Sequence, residues 1–278
     1  MEARPLIRGS LSQPAANFMT KPAREERFVE TIHYAMCPFL SIKQFVFLIS
    51  LIQCGLYTAS VAYKGVSNNG LLAPQSDALF DFGEKYPYYM KYQYQIWRFV
   101  MPVFLHGDFI HLSSNLLSQL IIGSYLESTI GFINFGILYI CSGIGGILFS
   151  SLATDSTSVG ASTAIFGLIG SFASYLMVNW KTLDRAPDQK YQIFIFLFLS
   201  LLLNLSMTSS NTKVDSLGHL GGFLTGIIMA LFLGHVLPNS DASSQKYQKM
   251  LRILGIVLTI VYFVGGFVLF YTLRQPNM

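Results

Sequence analysis

Four side chains in this sequence have the types and spacing to carry out acyl transfer. Ser162 lies in VGASTAIFGLIG (159–170), within a run from 156 to 180 that holds no charged residue. A hydroxyl at the first turn of a helix sits where backbone N–H groups have no intrahelical partner and the helix dipole is positive. An anion developing beside it is stabilised there. His219, in VDSLGHLGGFLTG (214–226), is the base that such a nucleophile requires. His111 and Asn115, in HGDFIHLSSN (106–115), are i, i+4 and share one helix face. Both offer side-chain N–H donors for an oxyanion, and the backbone at Ser162 offers another. Asp215 lies one helical turn before His219 but reads as loop, so the residues suggest a dyad rather than a triad.

Each feature has a plainer alternative. Gly, Ala and Ser at the ends of membrane helices commonly just permit close packing. His219 alone fits a helix-end histidine bonded to a loop carbonyl, and His106 and His111 fit an interfacial setting. A metal site from His106, His111 and His219 is the other option, although no carboxylate or cysteine cluster accompanies them. The three cysteines, Cys37, Cys54 and Cys141, are dispersed and odd in number, and form neither a disulfide framework nor a metal cluster.

The elements that must position these groups are membrane helices. Only 12% of the residues are charged, about half the share usual in soluble domains, and the mean hydropathy is +0.49. The small net charge of +4 is scattered and does not suggest nucleic acid. Uncharged runs at 44–63, 109–126, 128–154, 156–180, 191–212, 216–240 and 253–273 are each long enough to span a bilayer. The expected fold is therefore an all-α polytopic membrane protein. Residues 1–43 read as a cytosolic tail and 44–240 as a six-helix core. Residues 241–278 read as a loop and a seventh transmembrane helix. Within the core, 64–108 reads as a long, aromatic, interfacial first loop.

With the N-terminus in the cytosol, the tail and the loops at 181–190 and 241–252 hold twelve of the eighteen Lys and Arg. That bias places the N-terminus inside and the C-terminus outside. The second, fourth and sixth spans then begin in the same non-cytosolic leaflet, and their polar residues converge at one depth. Such residues usually face a bundle interior or water cavity and are functional candidates. Gly218, Gly222, Gly226 and Ala230 recur every fourth residue, a smooth strip that lets another helix approach closely. The span carrying Ser162 is the expected partner of that strip. His33 and His235 fall toward the cytosolic side, away from this cluster.

Taken together, Trp97-Arg98, HxxxxHxxxN at 106–115, GAS at 160–162 and GHxxG at 218–222 resemble the rhomboid family of intramembrane serine proteases. The resemblance implies a rhomboid-like six-helix bundle, here with a seventh C-terminal helix as in the eukaryotic secretase-like branch. It makes Ser162 the nucleophile, His219 the base, and His111, Asn115 and Gly160 the groups that stabilise the oxyanion and substrate. Trp97 and Arg98 would brace the first loop, and Gly218, Gly222 and Gly226 would serve packing. It implies single-pass transmembrane substrates within membrane lipid, no cofactor and no metal, and residence in the endomembrane system (Golgi) or plasma membrane. Two positions depart from the common pattern: Thr163 follows the serine where Gly is usual, and Phe166 stands where Tyr is frequent. The alternative function is a catalytically silent relative that binds membrane clients for trafficking or degradation. A transporter would instead show titratable residues at the midplane and broken helices.

Overall fold

A computed structural model describes residues 39–185, 187–210, 214–234 and 242–278. Most of the expected tail, with His33 and Cys37, lies outside the described residues, as do His235 and the end of the run at 216–240. Helices form in the order α1 (Phe45–Lys64), α2 (Ser76–Phe82), α3 (Pro87–Tyr92), α4 (Phe109–Ile130), α5 (Phe132–Ala153), α6 (Ser162–Asn179), α7 (Pro187–Ser210), α8 (Ser216–Leu233) and α9 (Ala242–Thr272). Among the described residues, five are long and apolar enough to cross a membrane: α1, α5, α6, α8 and the part of α9 from Gln245. α4 and α7 stand at the two other expected spans. α4 is more polar because it carries His111, Asn115, Gln119 and Glu127, and α7 runs through the uncharged stretch that begins at 191.

Two boundaries differ from the charge-free runs. The fourth run is helical only from Ser162, since the residues before it, 156–161, are irregular and Ser158 bridges to Lys85. Absence of charge measures compatibility with lipid, not helicity. The seventh helix starts at Ala242 rather than near 253, because its polar opening ASSQKYQKMLR is itself helix-compatible. At 1.5 Å per residue, the apolar part alone spans the hydrocarbon layer and the first turns extend past it.

The core is built on close approach of α5, α6 and α8. A Cβ added to Gly222 would stand 2.0 Å from the Thr163 carbonyl oxygen, and one on Gly226 2.0 Å from that of Gly167. On α6, a Cβ at Gly170 would meet the Phe223 oxygen at 2.2 Å. α5 joins the seam through Gly145, which faces Thr225, and Gly146, which faces the Gly218 carbonyl. With no lipid-excluding force between apolar helices, such backbone-to-backbone packing is what holds a membrane bundle together.

Several polar groups inside the bundle pair with one another. Gln119 donates to Gln53 and Ser50 at 2.7 and 2.8 Å, and the Tyr139 hydroxyl donates to Gln119 at 2.7 Å. Glu127 on α4 accepts from the N–H groups of Phe45 and Val46 at 2.7 and 3.0 Å, placing a carboxylate at the N-terminus of α1. At the far end of α9, Arg274 pairs with Asp155 and donates to the Ser151 carbonyl, while Lys91 of the first loop donates to the Arg274 carbonyl.

The first loop is ordered, with α2, α3 and two 3₁₀ turns, Ile96–Phe99 and Met101–Phe104. Phe80, Tyr86 and Tyr89 form an edge-to-face cluster. Arg98 is buried over the Phe80 ring at 4.3 Å and donates to the Glu84 carbonyl at 2.8 Å and to Gln95 at 2.6 Å. Trp97 beside it is 49% exposed, facing the surroundings as interfacial tryptophans do. Burial pushes the Glu84 carboxyl up to about 7, against the pull of Arg98.

Two expectations follow. Gly226→Leu forces a side chain into the Gly167 backbone, and should lower stability by about 1–3 kcal/mol or prevent folding, read as the thermal midpoint in detergent. Glu84 holds a proton in the folded protein that the unfolded chain sheds between about pH 4.5 and 7, so its contribution to stability declines as pH rises through that window. Glu84→Gln should therefore raise the thermal midpoint relative to wild type more at pH 8 than at pH 5.

Candidate active site

Three helix N-termini build the site. Asp108 starts α4 by accepting from the His111 N–H at 2.7 Å, which puts His111 in the first turn. Asp215 starts α8 by accepting from the Gly218 N–H at 2.9 Å, which puts His219 at the end of the first turn. Ser162 is the first residue of α6. The glycine seam draws α8 against α6, and the Ser162 hydroxyl and His219 Nε2 lie 2.8 Å apart. His219 is 8% exposed, and its ring stacks on Phe166 at 4.4 Å with an 18° interplanar angle. The aromatic ring is thus in place without a tyrosine hydroxyl.

His111 reaches the same spot from α4. Gly160 has φ +135°, and a Cβ there would stand 2.7 Å from His111 Nε2 and 3.5 Å from the Ser162 hydroxyl. Only glycine suits both the backbone angle and the space. Its N–H is taken by the Pro102 carbonyl at 2.8 Å, so Gly160 serves this spot through its missing side chain rather than as a donor. Asn115, one turn further along α4, is buried, and its Nδ2 makes no hydrogen bond within the protein. His106 lies edge-on to His111 at 5.3 Å, and burial, with His111 nearby, pulls its imidazole down to about 3. That ring is neutral.

Thr163 does not point into this cluster. Its side chain packs into the helix interface, meeting the space beside Gly146 and Gly218. Trp97 and Arg98 stand in the first loop, and Gly218, Gly222 and Gly226 in the seam between the helices that carry the hydroxyl–imidazole pair. Among the described residues, no three His, Cys, Asp or Glu side chains are grouped as metal ligands.

One buried network, built on Lys85, escapes the sequence reading. Lys85, fully buried, pairs with Asp215 at 2.8 Å, and Asp215 also accepts from Ser150 at 2.7 Å and Ser158 at 2.8 Å. Asp215 could be suspected as a helix cap from its place three residues before Gly218. Nothing in the pattern around Lys85, a single lysine among aromatic loop residues, reveals burial.

The arrangement holds a hydroxyl bonded to an imidazole at the positive end of a helix, with an uncommitted amide N–H buried on an adjacent helix. Comparison with known proteins shows the family. The sequence model of the rhomboid domain matches residues 93–236. The chain is 31% identical over 273 residues to RHOMBOID-like protein 5 of Arabidopsis thaliana, covering 91% of this chain and 81% of that protein. It is 34% identical over 207 residues to Rhomboid-like protease 1 of Toxoplasma gondii, covering 74% of this chain and 67% of that one. RHOMBOID-like protein 1 of Arabidopsis thaliana is 32% identical over 74% of this chain, which spans only 56% of that relative's length. The domain match and the length of these similarities place the chain in the rhomboid family, as an integral, multi-pass, all-α membrane protein.

Proposed function

We propose that this protein is an intramembrane serine endopeptidase that cuts single-pass membrane proteins in or near their transmembrane segments. The observation that carries this reading is the 2.8 Å contact between the Ser162 hydroxyl and His219 Nε2. Rhomboid proteins are generally intramembrane serine proteases, and one similar protein is named Rhomboid-like protease 1, which supports the reading.

Ser162 attacks the scissile carbonyl while His219 Nε2 takes its proton. The tetrahedral oxyanion forms at the N-terminus of α6, where the Ser162 backbone N–H, Asn115 Nδ2 and the His111 side chain donate to it. His219 then returns the proton to the leaving amine, and water hydrolyses the acyl-enzyme ester by the same steps. Phe166 holds the imidazole plane through the stack. Asp215, one turn ahead of His219, is itself held by Lys85, Ser150, Ser158 and the Gly218 N–H. All three contributing helices present their first turns, so water need penetrate only the outer part of the bundle.

The distribution of Lys and Arg supports a cytosolic N-terminus and tail (1–43) and a non-cytosolic C-terminus. Cleavage then falls near the outer leaflet, in the Golgi or another endomembrane, or at the plasma membrane. The six-helix core (44–240) acts on substrate, with the seventh helix (241–278) appended, and lipid is its solvent. No cofactor enters this chemistry.

Purified protein in liposomes should cleave a single-pass substrate, and Ser162→Ala and His219→Ala should each lower the rate by at least about 10³-fold. Equal inactivity of all three, across several substrates, would favour the client-binding alternative. Asn115→Ala should lower kcat by about 10²–10³-fold with little change in KM, as expected for a donor engaged in the transition state, measured by steady-state kinetics on the same substrate.

A further inference from the structure

Lys85 touches neither Ser162 nor His219, yet it joins the two segments that carry them. Its side chain is 0% exposed, and its Nζ meets Asp215 Oδ2 at 2.8 Å and Ser150 Oγ at 2.5 Å. Its backbone N–H donates to the Ser158 carbonyl at 3.0 Å, in an isolated antiparallel bridge. Ser158 stands four residues ahead of Ser162, in the irregular stretch that enters α6. Asp215 stands four residues ahead of His219 and caps α8. The Ser158 hydroxyl closes the ring by donating to the same Asp215 oxygen at 2.8 Å. Burial pushes the Asp215 carboxyl up, but Lys85, Ser150 and the Gly218 N–H outweigh it and hold the group below the usual carboxylate range. Burial draws the Lys85 ammonium down, with Asp215 opposing.

We propose that Lys85 is a positioning residue that, through Asp215 and Ser158, sets the register between the segment entering Ser162 and the helix carrying His219. Gly222 and Gly226 fix how closely α8 approaches α6 along the helices, while the Lys85 network ties together the two segments that lead into them. A slide of about 1 Å is enough to spoil a hydroxyl–imidazole geometry and cost orders of magnitude in rate. A buried ion pair resists that slide because separating its members leaves an uncompensated charge in a poor solvent. The first loop supplies the lysine, so the loop is part of the frame that aligns the pair.

This inference rests on the proposed protease activity, and its test separates the two. Cleavage in liposomes is measured per active site, titrated with a fluorophosphonate, for wild type, Lys85→Met, Lys85→Arg and the double variant Lys85→Met/Asp215→Asn. The double variant removes both charges and keeps a capping side chain, which guards against simple misfolding of the single variant. Hydrogen exchange by mass spectrometry is followed in the same proteins. Lys85→Met and the double variant should lose about 10-fold or more in kcat with KM little changed, and Lys85→Arg should recover part of the loss. Exchange should quicken in both 154–161 and 214–219, although residue 85 belongs to neither. Unchanged kcat per active site, with faster exchange confined to the first loop, would overturn the inference. If wild type itself does not cleave, the protease reading fails, and the exchange pattern alone then decides the positioning role.

Discussion

Gly222 and Gly226 press the backbone of α8 against the carbonyls of Thr163 and Gly167, and the meeting of Ser162 with His219 depends on that approach. The seam is the reason a hydroxyl on one helix and an imidazole on another fall within hydrogen-bond distance. It also explains Thr163. One residue past Ser162, its side chain turns into the space that α5 and α8 leave with glycines at 146 and 218, so a larger residue than the common glycine is accommodated inside the bundle. The same packing seats Phe166 one helical turn from Ser162, where its ring covers the imidazole.

A seam of small residues gives proximity without directing polar chemistry, and the polar groups are directed by helix ends. Asp108 and Asp215 cap α4 and α8, and Ser162 opens α6, so the first turns of three helices converge. At these ends the unpaired N–H groups and the dipoles favour negative charge, which is the charge that develops in acyl transfer. The rest of the interior shows the opposite economy. Glu127, Gln53, Gln119 and Tyr139 are all committed to partners, which spares them the cost of a bare polar group in lipid. Asn115 Nδ2 is an exception at the site.

Much of this is legible in the sequence because membrane helices obey strong rules. A four-residue spacing of Gly218, Gly222 and Gly226 marks a helix face without side chains, and a run of small residues after Ser162 marks a suitable partner. Parity of the spans brings His111, Ser162 and His219 to one leaflet. Other features escape for physical reasons. Residues 156–161 belong to a charge-free run yet are not helical, because hydropathy reports solubility in lipid and not backbone conformation. The polar start of α9 is helical outside the span for the same reason. Glu127 reads as a mere boundary charge between two spans, whereas it caps α1, eighty residues away in the chain. The burial of Lys85 depends on a long-range pairing that irregular loop sequence does not encode in any period.

The central claim is that the Ser162 hydroxyl is activated by His219, and covalent labelling tests it without any choice of substrate. The purified protein is treated with a fluorophosphonate, digested and mapped by mass spectrometry, with His219→Ala alongside. The account predicts an adduct on Ser162 in the wild type and its near-complete loss in His219→Ala. Absence of an adduct on Ser162, or labelling that persists undiminished without His219, would contradict it.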